Sequence, residues 1–497
     1  MQSWPSHPVI YEINTWPWLD GLSRTHGRRV DLATVPPAAW DVIAARGVDA
    51  VWLMGVWERS PAGVAIAIAN DTLRAEFRRA LPDVTPADVA GSPYCVRRYV
   101  ADRHLGGPTS LATARAELAS RGVRLILDFV PNHVAPDHPW VNAHPEYFVR
   151  GTAADITADP NAFMDIGGEV FARGRDPYFP AWPDVLQLDA FHPGLCQAAI
   201  ETVASIAAQC DGVRCDMAML MIGDVFAQAW GVRAGERPET DYWTSLIPAV
   251  KAVAPRFRFI AEAYWDREWQ LIEQGFDYCY DKRLYDRMEH AAAADVDAHL
   301  RADPAYQQAM VRFIENHDEP RAAVAFPGPK GRAAAVAILT LPGMRLLHDG
   351  QLDGAEVRLP VFLGRRPDEA MDHDLVAFYE TVLAATRDPL FRDGDWRLCE
   401  RTGWPDNPSC RQLLAWSWAR GDARALVVIN YADAPAQGRV HLPWDDLPGR
   451  GWRLVDRLSG ETYERQGSEL GGLGLYVALG AWQAYLFSME AGMPAAH

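Results

Sequence analysis

The chain has 497 residues, 49% hydrophobic and 23% charged, which bounds it as an ordinary globular protein of two or three domains with a sizeable core. A net charge of −17, with no dense basic stretch, excludes nucleic acid as a partner and disfavours anionic membrane surfaces. No apolar run is long enough to span a bilayer, "MQSWPSHPVIYEINTW" has no signal-peptide pattern, and the seven scattered cysteines lack CxxC spacing, so neither disulfide framework nor zinc site is expected and the cytoplasm is the expected compartment.

In chain order, "HPVIYEINTW" offers a first strand. "ARGVDAVWLMGVW" and "SRGVRLILDFVPNH" then repeat one pattern, in which an amphipathic helical stretch breaks at glycine and runs into β-branched and apolar residues. Glycine at a helix C-terminus followed by a buried strand is the turn of an α/β unit. Looser versions follow at "CDGVRCDMAM", "PRFRFIAEAYW", "GFDYCYDKRLY", "AMVRFIENHD" and "PGMRLLHDGQ", separated by helical stretches such as "LATARAELAS" and "KGRAAAVAILTL". Continuous apolar strands alternating with helices imply a parallel sheet. About eight such units predict a closed (β/α)8 TIM barrel over residues 1–133 and 189–390. An open doubly wound sheet is the alternative, but no glycine-rich phosphate fingerprint follows the first strand.

Two stretches break the alternation. Residues 134–188, rich in Pro, Asp, His and aromatics, read as a loop subdomain inserted after the third strand. From residue 391 to 497 short alternating strands such as "LLAWSWARGDARALVVINYADAP" and "WRLVDRLSGETYE" predict a C-terminal all-β sandwich domain. The nineteen tryptophans include several in loop-like stretches, as in "NTWPWLDG" and "PAWPDV", where they offer flat faces for sugar rings or simply pack the loops.

Catalytic residues of such barrels collect at the C-terminal ends of the strands. Those ends deliver Asp128, Asn132 and His133 from "DFVPNH", Arg214 and Asp216 from "DGVRCDMAM", Glu262 from "AEAYW", and His317 and Asp318 from "ENHDE". Any one of these acids is equally well a salt-bridge partner or a helix cap. Four motifs bringing carboxylates to one face, though separated by 88, 46 and 56 residues (128 to 216, 216 to 262, 262 to 318), point instead to a convergent site. Two acids held in opposite environments make an acid/nucleophile pair. Arg214 stands two residues before Asp216, on the same strand face, to keep it charged. Glu262 stands among Ala261, Ala263, Tyr264 and Trp265, an apolar shell expected to keep it protonated.

In these four motifs, their order, and the barrel, insertion and β-domain around them, the chain resembles the α-amylase family of glycoside hydrolases over nearly its whole length. The resemblance implies Asp216 as nucleophile, Glu262 as general acid/base and Asp318 as the third carboxylate that grips the sugar. It implies His133 and His317 as contacts to sugar hydroxyls, Tyr94 of "GSPYCVRRY" as the ring stacked under that sugar, and Asp128 and Asn132 as structural support, Asp128 tied to the Arg214 network. The implied activity is retaining hydrolysis of α-glucosidic bonds in short oligosaccharides or glucan chain ends. Transfer by a glucanotransferase or an isomerising glucosyl transferase is the alternative within enzymes, and a non-catalytic sugar-binding barrel the alternative outside them. Where calcium-dependent relatives carry a lysine and a histidine after the nucleophile, this chain has Met219 and Leu220, so neither cofactor nor metal is expected, calcium included. The acid usual before the second tyrosine of the Tyr94 motif is Arg98, and "WPDVLQLD" matches the motif ending the insertion only loosely. A pocket is expected, walled by aromatics of the insertion (Trp140, Tyr147, Phe148, Tyr178, Phe179, Trp182) and by Trp230 in a loop after the fourth strand.

Overall fold

The computed structural model describes residues 3–494. Eight strands close a parallel barrel: β1 (Val9–Asn14), β2 (Ala50–Met54), β3 (Arg124–Phe129), β4 (Gly212–Cys215), β5 (Arg258–Ala261), β6 (Tyr278–Tyr280), β7 (Met310–Arg312) and β8 (Met344–His348). Each neighbours the next in sequence, and β8 closes on β1. These are the eight strands the sequence predicts. The repeated glycines act as expected: helices Pro37–Ala45 and Gly107–Ser120 are each followed, after one arginine, by a left-handed glycine, Gly47 (φ 74°) and Gly122 (φ 75°). Only glycine takes that conformation without a Cβ penalty, and it turns the chain straight into β2 and β3. Every residue of β2, β3 and β4 is buried.

The chain forms two compact units, the first comprising Tyr11–Tyr280 with Val357–Asp368, the second Trp4–Ile10, Asp281–Glu356 and the chain from Glu369 onward. In the first, the 134–188 segment is more ordered than a loop. It carries a hairpin (Phe163–Ile166 with Glu169–Ala172) and its own core of Val134, Val141, Phe148, Phe171, Leu186 and Leu188. The stretch after β4 is likewise mostly helical, including Gly223–Trp230 and Tyr242–Val253. In the second unit, a six-stranded and a three-stranded antiparallel sheet share one apolar core, to which Leu413, Leu426 and Phe487 of the larger and Val440 and Val477 of the smaller contribute. Among the described residues no helix is long and apolar enough to cross a membrane.

Candidate active site

Parallel pairing places Arg214 of β4 opposite Asp128 of β3 and Ile260 of β5. The ladder runs one residue past the strands: Asp216 N–H donates to Phe129 O (2.8 Å) and Glu262 N–H to Cys215 O (3.0 Å). Asp216 and Glu262 therefore leave adjacent strands at one level. Arg214 and Asp216 share a face because side chains alternate. The Arg214 guanidinium spans both acids, with Nη1 2.7 Å from Asp216 Oδ1 and Nη2 2.8 Å from Glu262 Oε2. It is walled by the rings of Trp52, Tyr94 and Tyr280 at 5.3, 5.1 and 5.7 Å. Burial works against this charge, yet Glu262, Tyr94, Tyr280 and Asp216 together hold its pKa well above the ordinary arginine value. Past Asp216 the chain bends through Met217 in the left-handed region (φ 42°), aiming its N–H at Glu262 Oε2 (2.6 Å). Tyr264, two residues beyond Glu262, turns back to donate its hydroxyl to Oε1 (2.8 Å).

The surroundings lock this arrangement. Asp128 accepts from Trp52 Nε1 (3.1 Å) and Gly55 N (3.0 Å), and its carbonyl from Trp57 Nε1 (2.7 Å). The Tyr99 hydroxyl clips Val130 through both its N–H (2.9 Å) and its carbonyl (3.1 Å), where the "PNH" segment begins. His133 is buried beside Trp182, ring centroids 5.0 Å apart, and burial pulls its pKa down to about 3, so it stays neutral.

In the second unit, "ENHDEPR" follows β7 as a pinned loop. Buried Glu315 takes the Ala322 N–H on Oε2 (2.7 Å), while Arg321 and His348 Nδ1 (2.8 Å) meet Oε1. Burial alone would raise this carboxyl's pKa, but the hydrogen bond with His348 and the Arg321 charge bring it below the ordinary glutamate value. One carboxylate thus ties both ends of the excursion 316–320. Inside it, Asn316 Oδ1 accepts from the N–H groups of Asp318 and Glu319 (both 2.9 Å), and His317 Nε2 lies 2.9 Å from Asp318 Oδ2. The Asp318 side chain remains 43% exposed while that of His317 is buried.

No family model matches the chain. The α-amylase MalA of Haloarcula japonica is 26% identical over 476 residues, which are 92% of this chain and 59% of that protein. α-Amylase 3 of Dictyoglomus thermophilum is 21% identical over 287 residues, 52% of this chain and 53% of that one, so the chain spans less than two thirds of the length of either curated relative. In fold, the maltogenic α-amylase AmyB of Thermotoga neapolitana superposes with TM-score 0.67 at 18% identity, covering 97% of this chain and 98% of its own. The α-amylase of Geobacillus thermoleovorans, solved with acarbose, does so with TM-score 0.66 at 18% identity over 99% of both chains. The chain is similar in sequence to these α-amylases and shares the fold of the solved ones.

The first unit brings together Tyr94, Asp128, Arg214, Asp216 and Glu262, with Asn132 and His133 on the segment after β3; His317 and Asp318 follow β7 in the second unit. Three expectations need correction. Glu262 does not sit in an apolar shell: a guanidinium, a hydroxyl and a backbone N–H reach it. Trp230 ends a helix and is buried under the Arg175 guanidinium (4.3 Å), so it presents no wall. Of the insertion's aromatics, Phe148 is in the subdomain's core with Trp140 and Tyr147 against it, and only Tyr178 and Phe179 are broadly exposed. Arg98 is rewired as its position suggests, forking onto Glu58.

The residues present do not fit a calcium ion. Asn132 Oδ1, the ligand that calcium-dependent relatives imply, accepts from Gln187 Nε2 (2.8 Å), whose amide also reaches Asn132 O and Leu188 O (both 3.0 Å). An N–H donor thus occupies the Asn132 side-chain oxygen. Among the described residues no group of three or more His, Cys, Asp or Glu is arranged to hold a metal. Sequence reasoning missed Gln187, inside the loosely matching "WPDVLQLD", as well as the hydroxyl of Tyr264 and the Glu315–Arg321–His348 cluster. Only Tyr264, at i+2 from the acid, and Glu315, inside the quoted run, left a trace that pattern reading detects.

Proposed function

We propose that the protein is a retaining glycoside hydrolase acting on α-glucosidic bonds of short oligosaccharides or glucan chain ends. The observation that carries this reading is the single buried guanidinium shared by Asp216 and Glu262 at adjacent strand ends. Arg214 brings one positive charge to two acids, so one ionises and the other keeps its proton: Asp216 attacks the anomeric carbon as the carboxylate while Glu262 gives its proton to the departing glycosidic oxygen. The C–O bond breaks, a covalent glycosyl ester forms on Asp216, and the leaving sugar departs as an alcohol. Glu262, now a carboxylate, takes a proton from an incoming water, whose oxygen displaces Asp216 and restores both groups. Two inversions give net retention. Tyr264 and Met217 N–H hold the Glu262 carboxyl in place through both steps. In the first unit neutral His133 and the Tyr94 ring would contact the sugar, with Asp128 and Asn132 holding the frame; in the second, Asp318 and His317 would contact sugar hydroxyls.

Oligosaccharide-like substrates are supported by neighbours solved with acarbose and with maltose. The seven cysteines are free thiols, as suits a reducing cytoplasm. Incubation with maltose, maltoheptaose, sucrose, trehalose and glycogen, with early NMR of the products, tests the reading. An α-anomer released first from maltooligosaccharides is expected; an initial β-anomer overturns retention, and products longer than the substrate mark transfer instead of hydrolysis.

A further inference from the structure

Gln187 is fully buried, on the short strand Leu186–Gln187 that pairs antiparallel with His133–Val134. Its amide has one possible orientation. Nε2 lies 3.0 Å from two backbone carbonyls, Asn132 O and Leu188 O, while Oε1 accepts from the Arg175 N–H at 3.3 Å. Backbone groups have fixed polarity, so the nitrogen must face the carbonyls and the oxygen the N–H. The Asn132 amide is fixed in turn. Its Oδ1 lies 2.8 Å from Gln187 Nε2 and its Nδ2 3.3 Å from Gln187 Oε1, a reciprocal pair. Turning Asn132 over would set nitrogen against nitrogen and oxygen against oxygen. With Asn132 1% and Gln187 0% exposed, solvent cannot satisfy a reversed amide.

One Asn132 hydrogen remains, and it faces His133 Nδ1 at 3.3 Å. A ring nitrogen that accepts carries no proton, so the single proton of this imidazole belongs on Nε2. His133 also makes a hydrogen bond to the Tyr94 backbone that acts to raise its pKa, which makes the ring the donor. With Nδ1 taken, that donor is Nε2–H. The donors therefore run one way, from Gln187 to Asn132 to His133 to the Tyr94 carbonyl, and bonds of one polarity strengthen one another. At the far end, the Tyr94 ring lies 5.1 Å from the guanidinium that spans Asp216 and Glu262.

We infer that Gln187 is a positioning residue that decides, through Asn132, which nitrogen of His133 holds the proton. His133 then meets a sugar as a hydrogen-bond donor only. That a sugar is what it meets rests on the hydrolase reading above; the placement of the proton does not. Protein labelled with nitrogen-15 histidine, its His133 signals identified by their loss in His133→Gln, reports the tautomer in long-range proton–nitrogen spectra without any substrate. The wild-type chain is expected to show the Nε2–H form alone. Asn132→Asp, which sets a carboxylate oxygen against Nδ1, is expected to put a proton there, and Gln187→Met, which frees the Asn132 amide to turn, to mix the two forms. In both variants kcat on maltoheptaose should fall by up to about 10²-fold, the cost of a misplaced group, with KM changed much less. An Nδ1–H form in the wild type overturns the assignment, as does the wild-type tautomer retained in both variants. A moved proton with wild-type kcat overturns the positioning role. Should the wild-type chain cleave no α-glucoside while the proton still follows the two amides, the hydrolase reading fails and the relay stands.

Discussion

Two clusters of charge in this protein are equally buried and built from the same residue types, yet differ in stoichiometry. In the second unit Arg312 donates Nε to Pro342 O (3.1 Å), Nη2 to Gln307 O (3.0 Å) and Nη1 to Asp281. Asp281 also faces His299 Nε2 (2.9 Å) and caps the helix Lys282–His290 through Leu284 N (3.0 Å). Each group there has a fixed partner, on unstrained backbone. In the first unit one guanidinium serves two carboxylates, and the residue after the first is forced left-handed to supply another N–H. Burial and charge therefore do not mark a site by themselves. Two acids competing for one cation, on strained backbone, do.

Substitutions separate the two directly. Asp216→Asn and Glu262→Gln should each lower turnover by at least about 10²–10⁴-fold, the worth of acid/base help alone, with little change in melting temperature. Asp281→Asn should do the reverse, costing about 3–5 kcal/mol of stability as Arg312 loses its countercharge, while molecules still folded keep their rate. Melting curves and active-site-normalised kinetics decide it; an Asp281→Asn protein as stable as wild type, or an Asp216→Asn protein retaining a tenth of the rate, collapses the distinction. Next in size is Glu315→Gln, which cannot hold Arg321, His348 and the Ala322 N–H as a carboxylate does. A small displacement of a positioned group costs about 10²-fold, so kcat should fall by roughly that factor and KM much less. Equal loss in a Glu315→Ala and a Glu315→Gln protein with no unfolding would support the role; wild-type kinetics in both would remove it.

Tyr264→Phe takes away one hydrogen bond to Glu262, worth about 0.5–1.5 kcal/mol, and should slow kcat between twofold and tenfold, roughly, without altering the fold; no change would show the hydroxyl to be incidental. The smallest effect concerns acid stability. Burial lowers His7 and His133 to about 3 and His138 to about 4 from 6.5. Below pH 6.5 the unfolded chain binds protons that these folded histidines refuse, so stability is full above that pH and lost as pH falls toward 4. Asp184, raised to about 6 by burial, opposes this by losing stability as pH rises through 6. Burial lowers His104 as well and raises Asp189 and Glu319 as it does Asp184; with four histidines against three acids the melting temperature should drop by a few degrees, roughly, between pH 7 and 5, with His138→Asn flattening the slope, and a rise on acidification would reverse the assignment.

The barrel was legible because its strands are continuous apolar runs entered through glycine, a signal that needs no tertiary knowledge. Asp216, Glu262 and the histidines were legible because short motifs keep them at strand ends. What sequence cannot show is which distant group closes a contact. Trp52 reaches Asp128 across 76 positions, His348 reaches Glu315 across 33, and Gln187 reaches Asn132 across 55. The apolar shell expected for Glu262 failed for a local reason, a tyrosine whose ring is apolar but whose hydroxyl folds back. The aromatics of the insertion misled because a Pro- and Asp-rich composition hid a small core that consumes most of them.

The bond from Ala322 N–H to Glu315 Oε2 gives the molecule a built-in clock. That amide is buried and answers to one acceptor seven residues away, so its proton can be traded for deuterium only when the excursion carrying His317 and Asp318 lifts off its carboxylate anchor. Its exchange time is the waiting time of that lift, and a sugar gripped by Asp318 would lengthen it.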